Sequence, residues 1–273
     1  QGSRPDTMIV DIEVTERPTG TFQVGFGLSS IESFIFNSQI SQHNLFGRGQ
    51  TIIASAQVSS LRKIYNLRFV EPYFLDSHWT LASDLYNTER FLLNYSRLSS
   101  GGDITWGYPL PFYDDLQFYG TYTLEFIDIE QRINTPFPIL PDFTNYDKYT
   151  TSSFRLSSVW DTRDNRLFPS KGNYISLSSE LAPNILGSDR PFNRYSFVVR
   201  HYLPIIWDLV FKSNLDIGLL NSPSGRDVPI PEKFLMGGIN SVRGYRLFSI
   251  GPERPVVFSQ SNGTFNPQIG KQA

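Results

Sequence analysis

In TFQVGFGLSS, residues 21–30, the apolar side chains Phe22, Val24, Phe26 and Leu28 alternate with Gln23, Gly25, Gly27 and Ser29. This period of two is the mark of a strand with unlike faces, and it returns along most of the chain. TIIASAQVSS sets Ile52, Ala54, Ala56 and Val58 against Thr51, Ser55 and Gln57, with Ile53 as the exception. LQFYGTYTLEF sets Phe118, Tyr122, Leu124 and Phe126 against Gln117, Thr121, Thr123 and Glu125. YISLSSEL and FKSNLDIGLL repeat the pattern with Ile175, Leu177 and Leu181, then Phe211, Leu215, Ile217 and Leu219. No segment of comparable length has helical spacing. The segments and the breakers between them predict about eleven strands, at 21–30, 33–43, 50–60, 64–74, 79–88, 95–107, 116–130, 150–161, 172–182, 194–203 and 208–220. The fold class is therefore all-β.

Length and polarity then choose among β architectures. These strands often reach ten residues, longer than the roughly five or six usual in globular sheets and close to the ~9–11 that cross a bilayer at a tilt. Aromatics gather at strand ends, as Tyr73-Phe74, Trp106 with Tyr108, Phe112-Tyr113, Trp160 and Trp207 do, where an interfacial girdle would hold them. The polar face carries Arg155, Asp161, Glu180, Arg200, Lys212 and Asp216, which suit a water-filled lumen better than a dry core. The connections differ by end. NLFGRG, EPYFLDSH, YPLPFYDD, TRDNRLFPSKG and LPIIWD are mostly short and turn-like, whereas Arg132 to Lys148 and Pro183 to Arg194, at the other end, are long. Tight periplasmic turns and larger extracellular loops have that asymmetry. The reading is a transmembrane antiparallel up-and-down β-barrel. A soluble sandwich or closed barrel is the alternative, because period two alone does not say which face meets lipid.

Other function classes lose support on composition and motif. A formal charge of −2 and a pI near 6.0 give no clustered basic surface, so no nucleic-acid partner is expected. The chain has no cysteine, which removes disulfides and thiolate metal sites. His43, His78 and His201 fall in different segments without ligand spacing, and no hydrolase, zincin or P-loop signature occurs. The expectation is a non-enzyme with no catalytic residue, no metal and no cofactor. GFGLSS has Ser30 in place of the third glycine of a dinucleotide fingerprint, and Gly25 and Gly27 read as thinning the first strand. WDTRDNRLFPSKG reads as a polar turn begun by Asp164-Asn165 and closed by Pro169 and Gly172, with Asp161 and Arg163 placed on one side for a salt bridge. DTMIVDIEVTERPTG alternates and then stops at Pro18-Thr19-Gly20, as the closing strand of a separate domain would.

Five stretches in order, ERPTGTFQVGFGLSS, ISQHNLFGRGQ, GYPLPFYDD, WDTRDNRLFPSKG and FLMGGINSVRGYRLFSIGP, resemble the BamA-type family of outer-membrane assembly and translocation barrels. The last is the most specific, with Gly237, Gly238, Ser241, Val242, Arg243, Gly244 and Tyr245 in the order of the family's lumen-docking loop. The resemblance implies periplasmic POTRA domains ahead of a barrel of about sixteen strands in the bacterial outer membrane. Residues 1–20 are then the last POTRA strand and hinge, and 21–273 a partial barrel with 221–273 in the sixth extracellular loop. It implies a noncovalent function, the folding and insertion of β-barrel client proteins beside periplasmic accessory lipoproteins, with Phe22, Val24, Gly25, Phe26, Gly27 and Leu28 in the gate strand. A secretion pore of the same superfamily and a passive porin are the rival functions. No alternating strand is visible after Gly251, so the expectation is a fragment in which the acidic partner of Arg243 lies beyond Ala273.

Overall fold

The computed structural model describes residues 17–30, 32–91, 95–110, 113, 115–131, 148–225, 228–238, 241–245, 249–251, 254–257 and 269–272. The domain boundary at residue 20 therefore rests on a segment, 1–16, outside the described residues. Eleven strands form one antiparallel sheet in chain order. They are β1 (Gly20–Ser29), β2 (Ser33–Leu45), β3 (Gln50–Ser59), β4 (Arg62–Glu71), β5 (Thr80–Phe91), β6 (Tyr95–Pro109), β7 (Leu116–Gln131), β8 (Lys148–Asp161), β9 (Gly172–Ala182), β10 (Phe192–Ile206) and β11 (Leu209–Asn221). Every expected strand is present, with ends shifted by up to three residues. The largest extensions are at β5 and β10, where pairing continues through polar or proline positions. Pro204 stays inside β10 because the register slips between Pro204 and Ile206, the kind of irregularity at which a residue without an N–H is tolerated.

Alternation sorts side chains by face throughout. Phe118, Leu124, Phe126, Phe154, Leu156, Leu177, Leu215 and Ile217 are among the many large apolar residues left exposed on one side. The opposite side joins Arg97 to Glu125, and Arg155 to Glu180. Apolar outside and ionic inside is the reverse of a water-soluble protein and the arrangement of a barrel wall in lipid. No helix of the described residues is long and apolar enough to span a membrane.

Two short strands, β12 (Arg254–Val257) and β13 (Ile269–Gln272), form a separate antiparallel ladder. Neither alternates, which agrees with the absence of any alternating strand after Gly251: four residues are too few to display the period, so the sequence carries no periodic signal there. At the sheet's first edge, β1 pairs with β2 without interruption from Gly20↔Gln42 to Ser29↔Ser33. Gly25 and Gly27 thus leave the ladder intact.

Candidate functional site

Three features converge on the inner face and the rims: the edge strand β1, the loop that follows β11, and the turn between β8 and β9. β1 has β2 as its partner within the sheet, and its outer backbone edge is the end of the strand order. Phe22, Phe26 and Leu28 are largely exposed on its apolar face. Phe26 lies against Phe34 and Phe36 of β2, with ring centroids 5.9 and 5.3 Å away. On the inner face, a Cβ added at Gly25 would meet nothing within 4 Å, and one at Gly27 only Ile35, at 3.9 Å. The glycines therefore strip side-chain contacts from the strand rather than admit a close neighbour.

The segment after β11 turns back onto the inner wall. Buried Val228 joins Ala182, Phe192 and Leu220 in an apolar cluster, and the Phe234 ring covers Gly218 of β11 so closely that a Cβ there would come within 2.6 Å of it. Between these contacts sits Glu232, only 8% exposed. Arg194 Nη2 donates to Glu232 Oε2 at 2.7 Å and also to its carbonyl at 2.7 Å. Arg97 Nη2 reaches Oε1 at 3.3 Å, and the Tyr149 hydroxyl donates to Oε1 at 3.5 Å. Each arginine has a second carboxylate on the wall, Glu125 for Arg97 at 3.4 Å and Glu180 for Arg194 at 3.1 Å. Glu180 also takes Arg155 at 2.9 Å and the Ser153 hydroxyl at 3.0 Å. The result is an alternating chain of six charges across β6 to β10 in which only Glu232 comes from the loop. These groups line a cavity of about 500 Å³.

Beyond Glu232 the loop is pinched shut. Met236 and Ile250 form an antiparallel bridge, the Ile250 amide donates to the Met236 carbonyl at 3.2 Å, the Ser241 amide to the Gly238 carbonyl at 3.2 Å, and the Gly237 amide to Ser241 Oγ at 2.8 Å. Gly237 and Gly238 are buried, whereas Ser241, Arg243, Gly244 and Tyr245 are exposed and Val242 is half-buried. Gly244 has φ +89° with open space around it, so the tip needs glycine for its backbone conformation and not for a close approach. Among the described residues Arg243 makes no ion pair.

At the opposite end, Arg163 grips Asp161 with both arms of its guanidinium, Nε to Oδ1 and Nη2 to Oδ2, each at 2.8 Å. That fork-to-fork geometry is the strong form of the pair. The hydrogen bonds to Asp161 raise the Arg163 pKa still further. The same guanidinium lies 4.7 Å from the Tyr174 ring centroid. Asp164 accepts from the Ser170 hydroxyl and from the Ser170 and Lys171 amides, and these bonds, the hydroxyl's first, hold its pKa well below the usual carboxylate range. A depressed folded pKa means that the contribution of Asp164 is complete above its unfolded value of about 3.9 and is lost as pH falls through the folded one. Pro169 is buried. Gly172, at φ +106°, has no room for a Cβ beside the Thr162 carbonyl.

The sequence model of the Omp85 superfamily domain matches residues 44–271. The chain belongs to the Omp85 superfamily. Outer membrane protein assembly factor BamA of Nitratidesulfovibrio vulgaris is 24% identical over 252 residues, covering 92% of this chain and 31% of its own length. BamA of Neorickettsia risticii is 27% identical over 267 residues, with 94% and 34% covered. The frog Xenopus laevis has a relative of another name, sorting and assembly machinery component 50 homolog A, 26% identical over 257 residues, with 91% and 52% covered. The crystal structure of BamA from Haemophilus ducreyi lacking POTRA domains 1–3 superposes with a TM-score of 0.74 over 93% of this chain and 50% of that one, at 22% identity, a likeness of fold. The chain spans about a third of the length of the bacterial relatives. The outer membrane is the compartment of this family.

The arrangement separates two kinds of candidate residue. The loop tip, the β8–β9 turn and the first strand were marked by motif or pattern. Glu232, Arg97, Arg194 and Tyr149 were not. Strand parity puts Arg97 and Arg194 on the inner face once β6 and β10 are drawn, so that signal was available. For Glu232 the signal is fainter: one carboxylate in the run Ile230-Pro231-Glu232-Lys233-Phe234, with nothing to name its partners.

Proposed function

We propose that this chain assists the folding of β-barrel client proteins and their insertion into the outer membrane, noncovalently, with β1 as the strand that receives a client. The observation that supports the reading most is the place of β1 at the end of the strand order among the described residues, with Gly25 and Gly27 withholding side chains from it. An unpaired edge offers alternating N–H and C=O groups to an incoming strand, and side chains add little to hold any one partner. The names of the BamA relatives, outer membrane protein assembly factors, support the same activity. Docking of the loop by Glu232 supports a regulated lumen over a passive diffusion pore. In this reading the β8–β9 turn faces the periplasm, where POTRA domains and accessory lipoproteins act, and the exposed Arg243 tip of the sixth extracellular loop engages a carboxylate of the inner wall.

Because the chain has no cysteine, Gly25→Cys supplies a single thiol on β1. With cysteines scanned along the terminal strand of a client, disulfides should form during assembly in one register. Assembly that proceeds with no client cross-link at any β1 position would remove the reading. Cross-links confined to inward residues such as Thr121 would instead make the chain a secretion pore.

A further inference from the structure

No Asp, Glu, Lys or Arg occurs in β1, β2 or β3, whereas each strand from β4 to β11 carries at least one. The charge-free sector begins at the β1 edge, and the register sets its inner face. Gln23 stands opposite Gln39 and Gln39 opposite Ser55, while Gly25 stands opposite Asn37 and Asn37 opposite Gln57. Ser55 in turn faces Asn66 of β4, whose amide donates to Asp84 at 3.5 Å, so these residues share the side of the wall that holds the ion pairs. Among the described residues, the side chains of Gln23, Asn37, Gln39, Ser55 and Gln57 make no hydrogen bond. They line a cavity of about 400 Å³, and the space above Gly25 is open.

A face that only had to hold water would accept Lys or Glu as readily as Gln, so the exclusion of charge from the three strands beside the edge needs a ligand to explain it. Chemistry narrows which. An anion would need cations and a metal ion would need carboxylates, and this sector offers neither. A sugar would want an aromatic face to stack on, but Phe22, Phe26, Phe34 and Phe36 all fall on the opposite parity, outside. A primary amide carries the same donor and acceptor groups as a peptide unit, and it bonds to an extended backbone whatever side chains that backbone bears. Asn37 and Gln39 lie two residues apart along β2, roughly 6.8 Å, which is also the two-residue repeat of an extended chain. A segment running along the strand therefore brings successive peptide groups on one side to each amide in turn. We infer that the inner face of β1 to β3 is a backbone-binding surface for extended polypeptide, holding segments without regard to their sequence beside the strand edge. That the polypeptide is a client rests on the reading of β1 as the receiving strand.

The test uses the intact protein in phosphatidylcholine vesicles, with a urea-unfolded outer-membrane barrel protein diluted onto them as the probe. Gln57→p-benzoylphenylalanine should give photo-cross-links spread over many positions of the probe, severalfold more than Thr121→p-benzoylphenylalanine on the ionic side of the wall. Asn37→Asp with Gln39→Glu keeps the shape of both side chains and breaks no bond within the protein. That pair should lower the Gln57 yield severalfold and slow assembly of the probe, while the heat resistance of the folded protein on gels stays the same. Equal yields at Gln57 and Thr121 would overturn the proposal, as would cross-links confined to one site of the probe or indifference to the acidic pair. If the photoreactive variant does not fold, the assembly rate of the acidic pair decides alone, and an unchanged rate counts against the surface. Disulfides in one register at Gly25→Cys without cross-links at Gln57 would sink this surface only. Cross-links at Gln57 without those disulfides would sustain it and remove β1 as the receiving strand.

Discussion

Glu232 sits between two arginines that each have another carboxylate within reach, Glu125 for Arg97 and Glu180 for Arg194. Removing the loop's carboxylate therefore leaves no stranded guanidinium on the wall, and the usual heavy cost of breaking a buried pair does not fall on the sheet. It falls on docking. Charge-assisted bonds contribute about 1.5–3 kcal/mol each, so Glu232→Ala should weaken loop docking by about 2–3 kcal/mol, roughly 30- to 150-fold in its equilibrium. Tryptic cleavage at Lys233 should rise accordingly while the heat resistance of the folded barrel on gels stays the same. Unchanged cleavage would mean that the Val228 and Phe234 contacts hold the loop without it. Arg243→Ala is the contrasting variant: base docking and Lys233 protection persist, but client assembly fails in complementation. The two residues differ in legibility for a physical reason. Arg243 belongs to a contiguous motif, whereas Glu232 acquires meaning only after β6, β8 and β10 bring Arg97, Tyr149 and Arg194 to one place.

β1 is the element on which the proposed function rests, and its continuous ladder with β2 refines what Gly25 and Gly27 do. They do not interrupt pairing; they withhold side chains from it, and the space above both is open. Gly25→Val with Gly27→Val should fit without strain and strengthen the strand by about 1 kcal/mol in total, the span of β propensity. Backbone exchange along β1 should slow severalfold and client assembly should slow with it; faster assembly would argue against a weakly held edge. Period two made the existence, order and facing of these strands readable. Their ends were less so, because hydrogen bonding continues through residues that break the alternation, Glu89 and Arg90 in β5 and Pro204 in β10. The β12–β13 ladder was unreadable, since β12 is Arg-Pro-Val-Val and β13 Ile-Gly-Lys-Gln, and neither has an apolar face to repeat.

Seen whole, the molecule keeps its large apolar side chains outside and its ion pairs inside, and the small cluster of Ala182, Phe192, Val228 and Leu220 is where the loop meets the wall. The reversal was legible from the charges on alternating strand positions, which no dry core accommodates. The strand order has a temporal meaning as well. Every strand from β2 to β10 finds both partners next to it along the chain, so hairpins can form one after another with modest loop-closure entropy. The bond from Arg97 to Glu232 spans 135 residues and cannot form until β6 to β10 stand side by side. During refolding into detergent, amide protection of the strands should precede protection of Lys233 from trypsin; simultaneous protection would refute that order. The loop then reports on part of the wall: its docking marks β6 to β10 already side by side, and a misplaced strand among them would leave it undocked.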